Sequence, residues 1–251
     1  MLKTKDVTIQ FGGLTALSKL NIEVEENQIV GLIGPNGAGK TTAFNVITGV
    51  YKPTSGKVYF EENDISGKKP NEITKCGIAR TFQNIRLFKD LTVLENIQIA
   101  EHLRIKSSLP SAILGFSSYK NEEKEMHERA ISLLEEVGLL DNIKDKASSL
   151  PYGKQRKLEI ARALATRPKL LLLDEPAAGM NQSETMQFIS FIEELKRKHN
   201  ISVLMIEHHM QLVMGICEKI WVLDYGKEIA KGLPKEVQGN KAVIEAYLGV
   251  D

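Results

Sequence analysis

Residues 34–41, Gly-Pro-Asn-Gly-Ala-Gly-Lys-Thr, constrain what this chain can fold into more than any other stretch. They fit the P-loop pattern, in which a glycine and four residues of any type are followed by Gly-Lys-Ser/Thr. A continuously apolar stretch, Ile29–Ile33, comes before them and predicts a strand buried on both faces of an α/β sheet. A helix is predicted for residues 40–49, where a glycine ends it. Strand, loop and helix in this order predict a phosphate-binding α/β core.

The residue types of this loop explain how it would hold a nucleotide. Glycines let successive backbone N–H groups point inward around a β-phosphate, where a Cβ would obstruct them. Lys40 is predicted to reach the β- and γ-phosphates and Thr41 to offer its hydroxyl to Mg²⁺, while the helix N-terminus adds partial positive charge. The alternative is a glycine-rich turn that binds nothing, but a chance match is on the order of one in a hundred at average glycine usage. The predicted nucleotide-binding residues are Gly34, Pro35, Asn36, Gly37, Ala38, Gly39, Lys40, Thr41 and Thr42.

A second apolar strand, Leu170–Asp174, ends in a carboxylate, and Glu175 follows it. The carboxyl ends of parallel strands meet the phosphate crevice, so Asp174 is predicted to hold Mg²⁺ through the water shell of the ion. Glu175 would point elsewhere and accept a proton from an attacking water. The alternative interpretation is two solvated acids that cap a strand.

The remaining patterns predict a strand-rich core with one helical insertion. Helices are favoured between about residues 91 and 167, with Thr92 and Glu95 forming a capping box and a charged amphipathic helix at 121–137. Residues 107–119 contain proline, glycine and many serines, which predicts a loop or a broken helix. Further strands are predicted at residues 7–11, 20–24, 58–60, 201–206, 219–223 and 227–230. The predicted division is a core of residues 1–83 and 168–251 and a helical subdomain of residues 84–167, within one domain of 251 residues.

Composition excludes several classes of protein. The 33 basic and 32 acidic side chains leave a net charge of +1, which argues against a polyanion as the main partner. Two cysteines imply no disulfide framework and fit a reducing compartment. No apolar stretch approaches the roughly 20 residues that a spanning helix needs, and the N-terminus lacks the apolar core of a secretory signal. A cytoplasmic protein is therefore expected, with any membrane role acting through a partner.

Several further segments carry a resemblance to a known family. Residues 150–156, Leu-Pro-Tyr-Gly-Lys-Gln-Arg, lie upstream of Asp174 and resemble the signature motif of ABC-type ATPases. Gln83 resembles the Q-loop of that family, His208 its switch histidine and residues 178–181 its D-loop, and Phe11 occupies the place of the aromatic that stacks on adenine. Together with the P-loop and Asp174, these elements occur in the family's order across nearly the whole chain. Taken singly, the glutamine and the histidine resemble ordinary surface residues and the phenylalanine a core residue; no Asn-Lys-x-Asp motif supports a GTPase.

The resemblance implies a fold and a mechanism. The fold is a P-loop NTPase of the ABC type, with a RecA-like α/β core, an antiparallel β-subdomain and an inserted α-helical subdomain. Two copies of such ATPases close head to tail, with ATP and Mg²⁺ between one P-loop and the opposing signature motif. Glu175 would be the base, Gln83 would sense Mg²⁺ and the attacking water, and His208 would contact the γ-phosphate; the implied metal-site residues are Thr41, Gln83 and Asp174. The signature residues facing the opposing ATP would be Leu150, Pro151, Tyr152, Gly153 and Lys154.

Two signature residues depart from the family's usual Leu-Ser-Gly-Gly-Gln. Pro151 replaces the serine, so the side-chain hydrogen bond to the opposing γ-phosphate cannot form. Lys154 replaces the glutamine and adds a cation that would compensate electrostatically. Downstream of the Q-loop, Leu87 and Phe88 would either form a groove for a partner helix or pack into the core.

Finer resemblance points to the ATPases of bacterial branched-chain amino-acid importers, and to their longer, LivG-type member. It rests on residues 12–14, Gly-Gly-Leu, on residues 174–179, Asp-Glu-Pro-Ala-Ala-Gly, and on the closing residues 243–249. The implied partners are a second ABC ATPase, polytopic permease subunits and, indirectly, a substrate-binding protein, with the chain at the cytoplasmic face of the membrane. The open alternatives are urea or short-amide import, lipopolysaccharide export, a soluble ABC ATPase of DNA maintenance or ribosome binding, and a cassette that binds ATP without turnover.

Overall fold

The computed structural model describes residues 1–104 and 117–248, which fall into two compact units. The first unit is formed by Met1–Gln83 together with Lys169–Asp251, and the second by Asn84–Pro168. Within the described residues, no helix combines the length and the apolar composition that crossing a membrane requires.

The first unit begins with an antiparallel sheet. The strands are β1 (Leu2–Phe11), β2 (Leu14–Leu20), β3 (Glu23–Val24), β5 (Ser55–Phe60) and β6 (Asn63–Asp64). The order of the strands is β2-β1-β5-β6, and β3 also pairs with β1. Leu2, Thr4, Val7 and Ile9 of β1 are buried, so one face of the strand lies on the core, and the alternation shifts by one residue where the pairing with β5 is irregular.

The predicted strand at residues 20–24 is wrong. Leu20 ends β2, and only Glu23 and Val24 form the next strand. Residues 21 and 22 belong to no strand, and the side chain of Asn21 bonds to the backbone there: its Nδ2 donates to the carbonyl oxygen of Lys19 at 2.8 Å, and its Oδ1 accepts from the N–H of Asp6 at 3.0 Å. Asparagine side chains compete in this way with a sheet ladder, which apolar–polar alternation does not reveal.

The second sheet of this unit is mixed and carries the strands that flank the predicted P-loop. The strands are β4 (Ile29–Ile33), β7 (Ile78–Arg80), β8 (Leu170–Asp174), β9 (Ser202–Ile206), β10 (Lys219–Asp224) and β11 (Lys227–Gly232). Their order is β11-β10-β4-β9-β8-β7, parallel from β10 to β7 and antiparallel between β10 and β11. Every residue of β4, β8 and β9 is buried, which agrees with their mostly apolar sequences. The helices of the unit are α1 (Lys40–Ile47), α2 (Pro70–Cys76), α6 (Gln182–His199), α7 (Met210–Ile216), α8 (Pro234–Gln238) and α9 (Lys241–Leu248).

The second unit is built on α3 (Val93–Glu101), α4 (Ser117–Glu136) and α5 (Tyr152–Ala165), which pack on one another. The predicted capping box begins α3: Thr92 Oγ1 accepts from the N–H of Glu95 at 3.2 Å, and the Glu95 carboxylate accepts from the N–H of Thr92 at 2.7 Å. Short 3₁₀ turns lie at His102–Arg104, Leu140–Asn142 and Ala147–Ser149.

The loop or broken helix predicted at residues 107–119 is tested only at its end. Residues 107–116 lie outside the described residues, and residues 117–119 belong to α4. The helix predicted at residues 121–137 therefore begins earlier and ends at Glu136, one residue before the predicted end. The predicted fold class, an α/β P-loop core with an antiparallel sheet and a helical insertion, is confirmed.

Candidate nucleotide-binding and hydrolysis site

The carboxyl ends of three neighbouring parallel strands bring the predicted site residues together. β4 leads into the P-loop, β8 ends at Asp174, and β9 ends at Ile206, two residues before His208. Ile206 is paired in register with Asp174 on one side and with Leu32 on the other. The loop, the acids and the histidine therefore lie at one edge of the sheet, where α/β proteins bind ligands.

The backbone of the P-loop requires glycine at two positions where other chain segments approach closely. Gly34 has φ 150° and Gly39 has φ 99°, both in the left-handed half of φ space that glycine tolerates. A Cβ on Gly34 would collide with the carbonyl oxygen of Leu223, and one on Gly39 would lie 2.8 Å from the carbonyl oxygen of Ala16. The glycines of the motif are thus needed for the shape of the loop itself.

Lys40 lies inside this loop in a buried position. Its Nζ donates to the carbonyl oxygens of Gly34 and Pro35, each at 2.8 Å. Burial lowers the pKa of Lys40, while the nearby charges of Glu175 and Asp174 oppose that shift. The ammonium group is therefore desolvated and placed where an incoming phosphate would offer it a stronger partner than two carbonyls.

A cleft of about 480 Å³ opens over the P-loop. Of its lining, sequence reasoning missed Leu14, Thr15, Ala16 and Tyr225. The turn that carries Tyr225 is fixed to the loop, because the N–H of Gly226 donates to the carbonyl oxygen of Ala38 at 3.0 Å. The predicted residues in the lining are Asn36, Gly37, Ala38, Gly39, Lys40, Thr41, Thr42, Glu175 and His208.

Phe11 occupies the end of β1, away from this lining. Its ring packs edge-on against Tyr51 with 5.1 Å between centroids, and the residue is 46% exposed. Phe11 pairs across the hairpin with Leu14, which does line the cleft. Stacking of Phe11 on adenine stays a prediction.

Glu175, His208 and Gln83 form one hydrogen-bonded cluster. Nε2 of Gln83 donates to Oε2 of Glu175 at 2.7 Å, and Nε2 of His208 lies 3.0 Å from Oε1 of the same carboxylate. Glu175 has φ 46°, a left-handed conformation that is strained for this residue type. Such strain is typical of functional positions whose surroundings over-determine them. Glu175 therefore contacts both of the other residues predicted to act in hydrolysis.

Asp174 is paired with a buried arginine that sequence reasoning did not identify as a site residue. Nη2 of Arg80 lies 2.6 Å from Oδ2 of Asp174, and the two side chains are only 7% and 5% exposed. Nη1 of the same guanidinium donates to Oδ1 of Asn45 in α1 at 2.7 Å. Its carbon lies 5.4 Å from the ring centroid of Phe44 and 5.1 Å from that of Phe82. Arg80 thus connects the P-loop helix, the end of β8 and the residue before Gln83.

The residues present suit Mg²⁺. Thr41 supplies a hydroxyl, Asp174 a carboxylate and Gln83 an amide oxygen, all of which are the hard oxygen donors that Mg²⁺ prefers. Oδ2 of Asp174 accepts from Arg80, and a carboxylate has further acceptor sites that could serve the water shell of an ion.

The signature segment lies in the second unit, at the start of α5. Pro151 is its N-cap and has no side-chain hydrogen bond to the helix, and a Cβ added at Gly153 would meet no atom within 4 Å. Leu150 is buried and Tyr152 is 49% exposed. Lys154 is engaged locally: its Nζ donates to Oδ1 of Asn142 at 2.7 Å. The space around Gly153 at the N-terminus of α5 is open, and a role of the signature residues toward an opposing ATP stays a prediction.

Comparison with known proteins finds relatives that match nearly the whole chain. A family model described as ABC transporter matches residues 17–178, more than half of the chain. A second, described as Branched-chain amino acid ATP-binding cassette transporter, matches residues 227–251. The high-affinity branched-chain amino acid transport ATP-binding protein LivG of Salmonella typhimurium is 45% identical over 249 residues, which are 99% of this chain and 98% of that protein.

Two solved structures are similar to this chain in fold, and one of them is a dimer. The ADP conformation of an ATP-binding cassette of an ABC transporter has a TM-score of 0.86 and 36% identity, over 99% of this chain and 98% of that one. A dimeric post-hydrolysis state of an ATP-binding cassette bound to ADP and Pi has a TM-score of 0.77 and 26% identity, over 93% of this chain and 99% of that one.

Proposed function

Because the chain belongs to the ABC transporter family, whose ATP-binding subunits are ATPases, we propose that it powers uptake of branched-chain or related amino acids through partner membrane subunits. One observation carries the proposal: Glu175 lies beside the P-loop cleft with both carboxylate oxygens in contact with Gln83 and His208. The choice of solute class is supported by the similarity to LivG along 99% of this chain and by the family match at residues 227–251.

ATP binding begins with its phosphates in the P-loop. Backbone N–H groups of residues 34–41 and the N-terminus of α1 surround the β-phosphate, and Lys40 exchanges its carbonyl partners for phosphate oxygens. Thr41, Gln83 and, through water, Asp174 would hold Mg²⁺. That ion would neutralise charge on the phosphate oxygens when bound.

Hydrolysis depends on the cluster around Glu175. Its carboxylate accepts the proton of the attacking water, and Gln83 and His208 keep the carboxylate in position until water and γ-phosphate arrive. His208 then donates toward the γ-phosphate and stabilises the charge of the transition state. Most of the rate enhancement comes from positioning and electrostatics, as phosphoryl transfer requires.

Closure of two ATPase subunits completes the site. The N-terminus of α5 at Gly153 presents backbone N–H groups and positive helix charge to the γ-phosphate bound by the partner. Pro151 carries no hydroxyl, so the backbone supplies this contact. ATP thus joins the subunits, and hydrolysis releases them.

The proteins that the ATPase drives are membrane subunits, and binding to these subunits holds the chain at the cytoplasmic face of the membrane. Phe88 is 46% exposed in the second unit, and the guanidinium of Arg162 lies 5.6 Å from the centroid of its ring. Asn96, fully buried, fixes the backbone of Phe88 with hydrogen bonds to its N–H and carbonyl groups, each at 3.0 Å. A rigidly held and exposed phenylalanine suits docking of a permease helix, and a substrate-binding protein acts indirectly through the permease.

The test is a pull-down of the tagged chain from detergent-solubilised native membranes, followed by mass spectrometry and solute-uptake assays with the recovered complex. We expect two polytopic subunits, a second ABC ATPase and ATP-dependent uptake of leucine, isoleucine or valine. Phe88→Ser should lose the membrane subunits and retain ATP binding, whereas Phe191→Ser, in α6 of the other unit, should retain both.

Three outcomes would contradict the proposal. Uptake of urea or short amides would contradict the proposed class of solute. Recovery of an outward-directed lipid exporter would contradict the proposed direction of transport. Recovery of ribosomes or DNA would leave ATP hydrolysis in place and reject transport.

A further inference from the structure

Glu207 is a buried carboxylate to which sequence reasoning assigned no role. It follows β9 and is 1% exposed. Its Oε1 accepts from the N–H of Ala177 at 2.8 Å. Its Oε2 accepts from the N–H groups of His208 and His209 at 2.9 and 3.1 Å and lies 3.1 Å from Nδ1 of His209. One side chain therefore binds the loop after β8 with one oxygen and the loop after β9 with the other.

The location of these contacts links Glu207 to the hydrolytic cluster. Ala177 comes two residues after Glu175, and His208 is the next residue after Glu207. Apart from the contact of Glu175 with His208 itself, the N–H of Glu175 donates to the carbonyl oxygen of Ile206 at 2.9 Å. Glu207 thus adds a further connection between the two segments that meet at 3.0 Å in the Glu175–His208 contact.

The chemistry of a buried carboxylate makes this connection specific. A carboxylate only accepts hydrogen bonds, and burying it is costly unless its oxygens are occupied. Here backbone donors from two segments occupy them, so the separation of the segments is set by the width of one carboxylate. Glu175 also adopts a strained left-handed φ of 46°, which persists only where its surroundings over-determine the backbone.

We propose that Glu207 is a positioning residue for hydrolysis, which holds the loops after β8 and β9 at the separation at which Glu175 and His208 meet. The proposal rests on the hydrolytic role assigned to this site above. Glu207 acts on neither the nucleotide nor the attacking water directly but through the backbones of Ala177 and His208.

The central test is Glu207→Gln in the full chain. The amide has the same shape, but its NH₂ faces N–H donors on one side, so one of the two loops loses its partner. We expect kcat to fall about 10- to 100-fold, since small misplacement of catalytic groups has effects of this size, with ATP affinity unchanged. In a His208→Ala background the same substitution should cause little further loss, because both changes act on one contact.

Two companion variants keep the test decisive. Glu207→Asp keeps two acceptor oxygens on a shorter stem, and its kcat should lie between those of wild type and Glu207→Gln. Ser202→Ala is the matched control: Ser202 is also buried, lies at the other end of β9 and donates to the carbonyl oxygen of Glu25 at 2.9 Å. Ser202→Ala should change kcat little. In the double variant with His208→Ala, the fold-losses in kcat of the two single variants should multiply.

The proposal is overturned if Glu207→Gln keeps wild-type kcat, or if its ATP affinity falls together with kcat. It is also overturned if the fold-loss in kcat caused by Glu207→Gln multiplies fully with that of His208→Ala in the double variant. If Glu207→Gln does not fold, wild-type kcat in a folded Glu207→Asp overturns it equally. Failure of the proposed function is distinguished by Glu175→Gln measured in parallel: retained turnover there rejects the hydrolytic cluster itself, whatever Glu207 does.

Discussion

Nε2 of His208 lies 3.0 Å from Oε1 of Glu175, at the edge of the sheet where β8 and β9 end side by side. The other oxygen of the same carboxylate accepts from Gln83 at 2.7 Å. Each carboxylate oxygen can accept more than one hydrogen bond, so Glu175 can accept the proton of an attacking water while both contacts hold it in position.

Substitution of His208 tests this arrangement. His208→Ala should lower kcat by about 10²–10³-fold, the usual cost of losing one preorganised donor at the reacting group, and should leave nucleotide affinity nearly unchanged. His127→Ala, at an exposed position of α4, is the control and should retain wild-type turnover. Steady-state ATPase assays with separate titration of a fluorescent ATP analogue make the comparison; equal turnover of the two variants would contradict the role.

Removal of Lys40 should separate nucleotide binding from folding. Burial lowers the pKa of its ammonium group, so the folded protein bears a cost for the charged form. Lys40→Met should therefore leave the unfolding midpoint of the nucleotide-free protein close to wild type. ATP at 100 times its Kd should stabilise the wild type by about 2.7 kcal/mol and the variant hardly at all. Thermal unfolding with and without MgATP measures both; equal ATP-dependent shifts would exclude Lys40 from the phosphate site.

Arg80 should be required for stability as well as for the site. Its ion pair with Asp174 is buried, and removal of one partner from such a pair typically costs about 3–5 kcal/mol. Arg80→Met should lower the free energy of unfolding by this amount in urea titrations. Lys57→Met is the matched control, because the Lys57–Asp64 pair is exposed and its loss should barely move the midpoint. Similar urea midpoints for the two variants would show that the buried Arg80–Asp174 pair contributes no more to stability than the exposed Lys57–Asp64 pair.

Cys217 should be chemically inert in the folded protein. Burial raises the pKa of its thiol to about 12, and the charges of Glu207 and Glu218 act in the same direction. Maleimide at about pH 8.5, near the ordinary thiol pKa, should label Cys217 only after unfolding in urea, whereas half-buried Cys76 provides the comparison in the same chain. Mass spectrometry of each peptide gives the result, and rapid native labelling of Cys217 would contradict it.

The sequence was sufficient for features that depend on local pattern. The P-loop, the apolar strands on either side of it and the carboxylate at the end of β8 could all be predicted, because each is encoded in contiguous residues. The helix α6 was missed although Asn181 and Glu184 form a capping box that signals its start: Oδ1 of Asn181 accepts from the N–H of Glu184 at 3.0 Å.

Arg80 and Glu207 could not be assigned from sequence for a different reason. Arg80 is 94 residues from Asp174, and Glu207 is 30 from Ala177. Their roles depend on which strands are neighbours in the sheet, and an isolated arginine or glutamate near a strand end is usually a solvated surface residue. Only the observed burial and pairing distinguish them.

The most direct test of the account is the oligomeric state and turnover of Glu175→Gln with MgATP. Light scattering on a size-exclusion column should show an ATP-dependent dimer, while ATPase activity falls about 10²–10⁴-fold, as expected for loss of a general base. The wild type should return to monomer as it hydrolyses ATP. Turnover of Glu175→Gln at the wild-type rate would contradict the central claim that Glu175 accepts the proton of the attacking water.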